Sequence, residues 1–351
     1  MERHTSNHHW RAVHIFLTVL VLGVGSRGNF AAEAIVTQAA VSRTATQAAT
    51  PMRKLIISPD TPGIAFPEGV VNINGPSLIR VPDWAPRPLG RYYLYFAHHT
   101  GKTIRLAYAD HLEGPWRVHD APALDIKNTP FPGHIASPDV IVDEEARQFR
   151  MYYHGQGSKD PALPGQPTCL ALSSDGREFA GGREKIAAGY LRVFRHEGWW
   201  YGLTMTGHFW RSRDGLGPME RRERRFVMEL CAPNEYVEEA YQPRHLAVAV
   251  RDGHLEVYFT RIGDAPEHIL RTSLRLTDNW EDWRFEVPIT VRKPELSWEG
   301  ADAPHIPSRM GPVNEPAWQL RDPCVFEEAG RRYLLYAVAG EQGIAITDQT
   351  E

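Results

Sequence analysis

The chain has 351 residues, of which 42% are hydrophobic and 23% charged, so it can bury a substantial core. Its formal charge of -4 at pH 7 comes from 43 acidic and 39 basic residues, which predicts no field of a single sign. We therefore expect neither nucleic acid nor an anionic membrane as a partner. The three cysteines show no C-x-x-C spacing, so we predict neither a disulfide framework nor a metal-thiolate site.

The amino terminus has the pattern of an export signal. Arg3 and Arg11 precede the apolar run 15–24, and the triplet 32–34 (AEA) fits a small-residue cleavage site. We expect residues 1–34 to be a signal peptide and the mature protein to be secreted or periplasmic, with no membrane contact after the signal is removed. An uncleaved anchor is the alternative, although a span needs about 20 apolar residues. The Ala-, Thr- and Gln-rich segment 35–53 is expected to be a flexible linker, leaving 54–351 as a single domain.

One strand-turn-strand unit recurs five times along that domain. Each unit has an apolar strand, a polar turn, an aromatic-rich strand, a second turn and a third strand, and the five units lie at 76–109, 138–173, 190–212, 244–274 and 321–347. Repeats spaced near about 40–50 residues are typical of propeller blades. The sequence therefore predicts an all-β fold, a five-bladed β-propeller with four-stranded blades around a central funnel. A β-sandwich is the alternative, but it does not require the same order of elements in every unit.

Four connecting segments stand out. Residues 54–71 precede the first blade and are expected to lie outside the ring or to supply the strand that closes it. The charged stretch 213–225 is predicted to be a solvated excursion. The connections 228–242 and 292–320 are long for a compact fold, and loops of that length are uncommon unless they have a function.

Four phrases in the sequence resemble a known group of enzymes: RDPCVFEEAGRRYLLY, SPDVIVDEEARQFRMYYHG, IRLAYADHLEGPW and YLRVFRHEGWWYG. They are similar to the five-bladed β-propeller glycoside hydrolases, which include the family 43 arabinanases, xylosidases and arabinofuranosidases, the fructosidases and the family 117 enzymes. The resemblance covers about residues 72–347. It implies that the first residues of each innermost strand point into an axial funnel where a sugar binds.

This chain departs from the family 43 pattern at the positions of the three acids. The resemblance places a general base at the opening of blade one, where Gly75 stands, and a second aspartate at the opening of blade two, where Ser137 stands. The acid of blade three falls near Gly189, which has no carboxylate. Blade five alone keeps the Asp-Pro pair, as Asp322-Pro323, so the acids of family 43 cannot be transferred to this chain.

The remaining acids near the strand starts are candidates, because glycoside hydrolysis ordinarily needs two carboxyl groups. We predict Asp322 and Asp139 as the acids that act on the sugar, with the neighbouring Arg321 keeping Asp322 ionised. Glu315 and His134 are alternative proton donors. A structural role at the strand start is the alternative for both aspartates. Weaker candidates are Glu238, Glu239 and Glu299, on the long connections. Predicted substrate-binding residues are Asn74, Arg244, His245, Arg321 and Trp318.

The sequence thus predicts an exported glycoside hydrolase acting on a polysaccharide or oligosaccharide. The alternative is a carbohydrate-binding propeller without catalysis, and a protein-binding scaffold has less support because no WD-type signature is present. Two carboxyl groups facing each other at the axis would favour catalysis. No cofactor is predicted, although the axis of such a propeller can hold a structural cation. The sequence makes no prediction about the oligomeric state.

Overall fold

The computed structural model describes residues 52–66, 69–156, 165–225 and 243–349. The predicted signal peptide, most of the predicted linker, Cys231, Glu238 and Glu239 lie outside these residues. Within them, the helices are three short 3-10 turns, at Ile126–Asn128, Trp280–Asp282 and Ser297–Glu299. None of the helices in the described part of the chain has the length and apolar character needed to cross a membrane.

The strands are numbered in chain order: β1 (Arg53–Ile57), β2 (Asn74–Arg80), β3 (Tyr92–Ala97), β4 (Thr103–Ala109), β5 (Arg117–Val118), β6 (Leu124–Asp125), β7 (His134–Asp143), β8 (Gln148–Gln156), β9 (Thr168–Ser173), β10 (Ala180–Ala187), β11 (Arg192–His196), β12 (Trp199–Leu203), β13 (His208–Ser212), β14 (Glu220–Arg225), β15 (Pro243–Arg251), β16 (His254–Arg261), β17 (Ile269–Arg275), β18 (Ile289–Arg292), β19 (Arg321–Glu328), β20 (Arg331–Val338) and β21 (Gly343–Asp348).

These strands form five antiparallel sheets. Blade one has the order β2-β3-β4-β5, with β6 also paired to β4, and blades two, three and four run β10-β9-β8-β7, β11-β12-β13-β14 and β15-β16-β17-β18. Blade five has the order β1-β21-β20-β19. The predicted five-bladed propeller is confirmed, because a sandwich would have two packed sheets instead of five.

Strand β1 closes the ring, as the segment before the first blade was expected to do. It pairs antiparallel to β21, with Arg53 opposite Thr347, so the first described strand completes the last blade. Arg53, the last residue of the predicted linker, is therefore part of the fold. Its guanidinium forms an ion pair with the buried Glu299 (Nη2 to Oε2, 2.5 Å), and Tyr336 donates to the same carboxylate at 2.8 Å. Glu299, a weaker candidate for the site, therefore connects β1 to the rest of the propeller.

The core lies between neighbouring blades, because each sheet buries both of its faces. Strand β3 illustrates the rule: Tyr93 and Tyr95 pack toward blade two, whereas Leu94 and Phe96, on the opposite face, pack toward blade five. Successive side chains of a strand point to opposite faces, so a middle strand flanked by two blades is apolar at every position. Equivalent clusters fill the interfaces between blades two and three, three and four, and four and five.

The prediction of a solvated excursion at 213–225 is wrong for its second half. Residues Glu220–Arg225 form β14, the outermost strand of blade three. The alternation of the strand turns Arg222 inward, where its Nε lies 3.1 Å from Oε2 of Glu281. A run of charges can form an edge strand in this way, because side chains on one face of such a strand remain in water while those on the other find a partner.

Candidate functional site

Five residues, one at the opening of each blade, form a ring around the propeller axis. They are Gly75, Ser137, Tyr190, His245 and Asp322, and all have a left-handed backbone, with φ of 61°, 50°, 59°, 41° and 50°. In blades one, two, four and five the register of the innermost strand pair shifts at this position. We call these five residues the axial ring. A non-glycine residue in this conformation costs about 1–3 kcal/mol and persists only where the surroundings hold it.

The ring also corrects the alignment of blade three. The sequence placed the position of the missing acid near Gly189, but the left-handed residue that matches the other four blades is Tyr190. The three family 43 acid positions are therefore occupied by glycine, serine and tyrosine in this chain.

His245 and Asp322, in blades four and five, contact each other directly. Nδ1 of His245 faces Oδ1 of Asp322, and the two residues are only 3% and 1% exposed. Burial lowers the pKa of His245 well below its usual value, and the charges of Arg244 and other nearby cations add to this effect. The imidazole is therefore neutral at neutral pH, with Nδ1 directed at the aspartate.

A column of neutral rings extends from this pair. Tyr190 lies between His245 and His154, with ring centroids 4.7 Å and 4.0 Å away, and His134 meets His154 edge-on at 5.8 Å. Burial lowers the pKa of His134 and, more strongly, that of His154, and raises the pKa of Tyr190 to about 12. Among the described residues neither ring nitrogen of His154 has a hydrogen-bond partner. This side of the axis therefore consists of buried, uncharged rings.

Glu267 joins the first residues of blades four and five. Its Oε1 lies 3.0 Å from Nε of Arg244 and accepts a hydrogen bond of 2.6 Å from the hydroxyl of Thr260, while Oε2 lies 3.4 Å from Nε of Arg321. All of these side chains are buried. The two arginines that precede ring residues are therefore held by one carboxylate.

Glu341 continues the network toward blade one. Its carboxylate accepts from Arg321 Nη1 at 3.1 Å, Asn72 Nδ2 at 2.6 Å and the backbone N-H of Val313 at 3.0 Å, and Nδ1 of His99 lies 3.0 Å away. Burial alone would raise the pKa of Glu341, but the hydrogen bond with His99 and the charge of Arg321 outweigh it and bring the pKa to about 2. Glu341 is therefore a permanent anion with its oxygens occupied.

The prediction that Arg321 keeps Asp322 ionised is wrong. Arg321 turns to Glu267 and Glu341, and the partner of Asp322 is His245. Adjacent residues in an extended strand point to opposite sides, so an arginine next to an aspartate in sequence need not face it.

The arginines also support the long connection 292–320. Arg244 donates to the carbonyl oxygens of Arg309 and of Gly311, the latter at 3.3 Å, and Arg321 donates to Gly311 at 3.2 Å. Both arginines are thereby connected to the backbone of this segment as well as to the buried carboxylates.

The other predicted residues lie at different places. Asn74 donates to the side chain of Asn72 at 3.2 Å beside the ring. Asp139 is partly buried and accepts from the backbone of Val193 at 2.8 Å, so it faces blade three and not Asp322. Burial raises the pKa of Asp139, although Arg192 and the bond from Val193 oppose this.

Trp318 and Glu315 lie on the connection 292–320. Trp318 stacks on His305 at 3.7 Å with an interplanar angle of 17°. Glu315 is exposed and has no hydrogen bond or ion pair with any residue that the structure describes. The structure shows no contact between Glu315 and the axial ring.

Sequence reasoning missed Glu267, Glu341 and His99. All three follow the second strand of a blade, in the turns β16-β17, β20-β21 and β3-β4. In a meander the first strand begins, and the second ends, at the same rim, so these turns border the axial ring. The turn after each aromatic strand was the signal that could have found them.

Within the described ranges no group of three or more His, Cys, Asp or Glu side chains is arranged to hold a metal ion.

No family model matches this sequence. The "Uncharacterized protein R118" of Acanthamoeba polyphaga mimivirus is 37% identical over 297 residues, which cover 78% of this chain and 83% of the viral protein. The chain belongs to the same family as this viral protein. The family thus includes a chain from a virus.

Solved structures with the same fold are glycoside hydrolases. A family 43 β-xylosidase/α-arabinofuranosidase from a compost microbial metagenome has a TM-score of 0.54 at 14% identity, covering 86% of this chain and 96% of that enzyme. An endo-1,4-β-xylanase from Bacteroides thetaiotaomicron has a TM-score of 0.53 at 13% identity, covering 80% of this chain and 91% of that enzyme. A family 43 enzyme from Xanthomonas citri has a TM-score of 0.53 at 11% identity, covering 84% of this chain and 90% of that enzyme. The resemblance to a propeller glycoside hydrolase is confirmed at the level of the fold.

Proposed function

We propose that this protein is a glycoside hydrolase in which His245, oriented by Asp322, activates the attacking water. The observation that carries the proposal is the contact between Nδ1 of His245 and Oδ1 of Asp322 on the axial ring. A base held by a carboxylate on its second nitrogen is a recurring arrangement in hydrolases. The glycoside hydrolase fold of the structural neighbours supports the substrate class.

The proposed proton transfers use groups in opposite protonation states. His245 is neutral, so Nε2 can take a proton from water while Asp322 stabilises the resulting imidazolium. Asp139 is the proposed donor to the leaving oxygen, because burial raises its pKa and keeps it protonated to a higher pH than an exposed aspartate. His134 is less suited to donate, since burial lowers its pKa. Glu315 is less suited because it is exposed.

The proposed substrate is an uncharged sugar chain. Arg244 and Arg321 form buried ion pairs with Glu267 and Glu341, so their positive charges are balanced within the protein. Neutral rings, led by Tyr190, line the other side of the axis. The compost enzyme was solved with xylotriose, so pentose oligosaccharides are the first class to test.

The test is a screen of the mature chain on nitrophenyl glycosides and on xylo- and arabino-oligosaccharides. On any substrate found, His245→Gln, Asp322→Asn and Asp139→Asn should each lower kcat by about 10² to 10⁴, the usual contribution of a general acid or base. His254→Gln is the matched control, because His254 lies at the β15-β16 turn and its Nδ1 contacts only the carbonyl of Asp252. Parent turnover in the His245 and Asp322 variants would refute the assignment.

A carbohydrate-binding propeller without catalysis is the second candidate. It is favoured by the presence of Gly75, Ser137 and Tyr190 where the family 43 resemblance places acids. Calorimetric titration with the same oligosaccharides separates the two candidates. Binding without release of any product, in the parent chain, would support this one.

We also propose that the protein is exported. The support is the charged, apolar and small-residue pattern of residues 1–34. Expression in a bacterial host followed by mass measurement of the periplasmic fraction tests this. A full-length mass that begins at Met1 and stays with the membrane would contradict it.

A further inference from the structure

Arg192 forms hydrogen bonds that connect the openings of three of the five blades. Arg192 follows the ring residue Tyr190 by two positions and is 4% exposed. Its Nε donates to the carbonyl oxygen of Leu246 at 2.7 Å, and Nη1 donates to those of Ser137 and Leu191, each at 3.2 Å. The guanidinium therefore bridges the innermost strands of blades two and four from its own position in blade three.

The acceptors are themselves part of the ring. Ser137 is the ring residue of blade two, and Leu246 directly follows the ring residue His245. A left-handed residue turns its peptide out of the strand ladder, and a buried carbonyl without a donor destabilises the fold. A planar guanidinium can satisfy several such carbonyls at once, which an ammonium cannot do with the same geometry.

We propose that Arg192 is a positioning residue of this site, whose guanidinium fixes the backbone of His245 relative to blades two and three and so holds the His245–Asp322 pair in register. This inference rests on the proposed function for its effect on turnover, but its effect on the pair is independent of any substrate. Arg192 touches neither the pair nor, by its contacts, a ligand. It acts through the carbonyl oxygens that it binds.

The charge of Arg192 reaches both proposed proton-transfer groups. Burial is the largest influence on each pKa, lowering that of His245 and raising that of Asp139, and the positive charge of Arg192 lowers both. The other titratable and charged groups around His245 are Asp322, Tyr190, His99, Arg244 and Arg321. Removal of the charge should raise the pKa of His245, whereas lysine in its place should leave that pKa nearly unchanged.

The experiment uses the full mature chain with labelled histidine. The low-field proton resonance of an Nδ1-H shared with a carboxylate reports the His245–Asp322 contact, and His245→Gln assigns it. Arg192→Lys keeps the charge but not the planar fork, and Arg192→Met removes both. Arg150→Lys is the matched control, because Arg150 is equally buried and also donates to a backbone carbonyl, that of Asp214, away from the axis.

We expect the resonance to shift upfield or vanish in both Arg192 variants and to persist in Arg150→Lys. The pKa of His245, followed by its ring carbon-bound protons, should rise in Arg192→Met and not in Arg192→Lys. On a substrate, Arg192→Lys should lower kcat by about a hundredfold with little change in KM, as expected for a small misplacement of a reacting group.

An unchanged resonance in both Arg192 variants would overturn the inference. So would failure of Arg192→Lys to fold while Arg150→Lys folds, because Arg192 would then be a determinant of the fold itself. If the parent chain hydrolyses nothing, the proposed function fails, and the resonance still decides the role of Arg192.

Discussion

Gly75 and Ser137 meet backbone to backbone where blades one and two open. A Cβ atom on Gly75 would lie 3.3 Å from the Cα of Ser137, and φ at Gly75 is +61°. The other four members of the axial ring carry side chains in the same backbone conformation. The closeness of blade two therefore favours glycine in blade one, because the left-handed backbone alone accommodates other residues in the ring.

Replacement of this glycine should destabilise the propeller. Gly75→Ala should cost about 1–3 kcal/mol, because it adds left-handed strain and a tight contact with Ser137. Gly253→Ala is the control: Gly253 has φ +74°, but a Cβ at this position would have nothing within 4 Å, so only the strain applies. Urea unfolding of the two variants measures the difference. Equal losses would show that crowding at Ser137 contributes nothing.

Turnover should fall at acid pH because of His245. Its charged neighbours are Asp322, Arg192, Arg244, Arg321 and His99, with Tyr190 stacked on the ring. Burial, followed by the cations, lowers its pKa below 6.5, so the base form is already complete at neutral pH. The kcat/KM should therefore be flat near neutrality and fall as the pH drops through this lowered pKa. An increase in kcat/KM as the pH is raised above 7 would contradict this assignment.

Glu341 should stabilise the protein in a pH-dependent way. Its pKa is about 2 in the folded chain against an ordinary 4.5, so its contribution is present above 4.5 and is lost as the pH falls toward 2. At neutral pH Glu341→Gln should lower the free energy of unfolding by about 3 kcal/mol. Denaturation of the parent and of Glu341→Gln from neutral pH down to about pH 3 should show the difference between their free energies of unfolding becoming smaller. A difference that is the same at every pH would rule out this contribution of Glu341 to the pH dependence of stability.

Loss of strand β1 should open the ring. A chain beginning at Ser58 lacks the buried Ile56 and Ile57, which contribute roughly 3–6 kcal/mol together, and leaves the buried Glu299 without Arg53. It should melt at a much lower temperature or not fold, as followed by circular dichroism. A chain beginning at Met52 is the comparison. Equal melting temperatures would mean that the ring closes without β1.

The order of strands was fixed locally and could be predicted. The five repeats, the aromatic middle strands and the polar turns depend on residues close together in the chain. The continuous apolar run YYLYFA of β3 likewise indicates a strand that is buried on both faces. Ring closure by the segment before the first blade was one of two expectations, and the pairing of β1 with β21 decides for it. The edge strand β14 was missed, because a run of charges was taken to indicate solvent on all sides.

The site was decided by the packing of blades. The sequence places Arg321 beside Asp322 and suggests a pair, but the structure directs Arg321 to Glu267 and Glu341 and directs Asp322 to His245 in the neighbouring blade. Strand alternation predicts that adjacent side chains point to opposite faces, but it does not identify the residues that each side chain will contact. Those partners lie far away in sequence, and only the closure of five sheets around one axis brings them within hydrogen-bond distance, where burial then sets their charge.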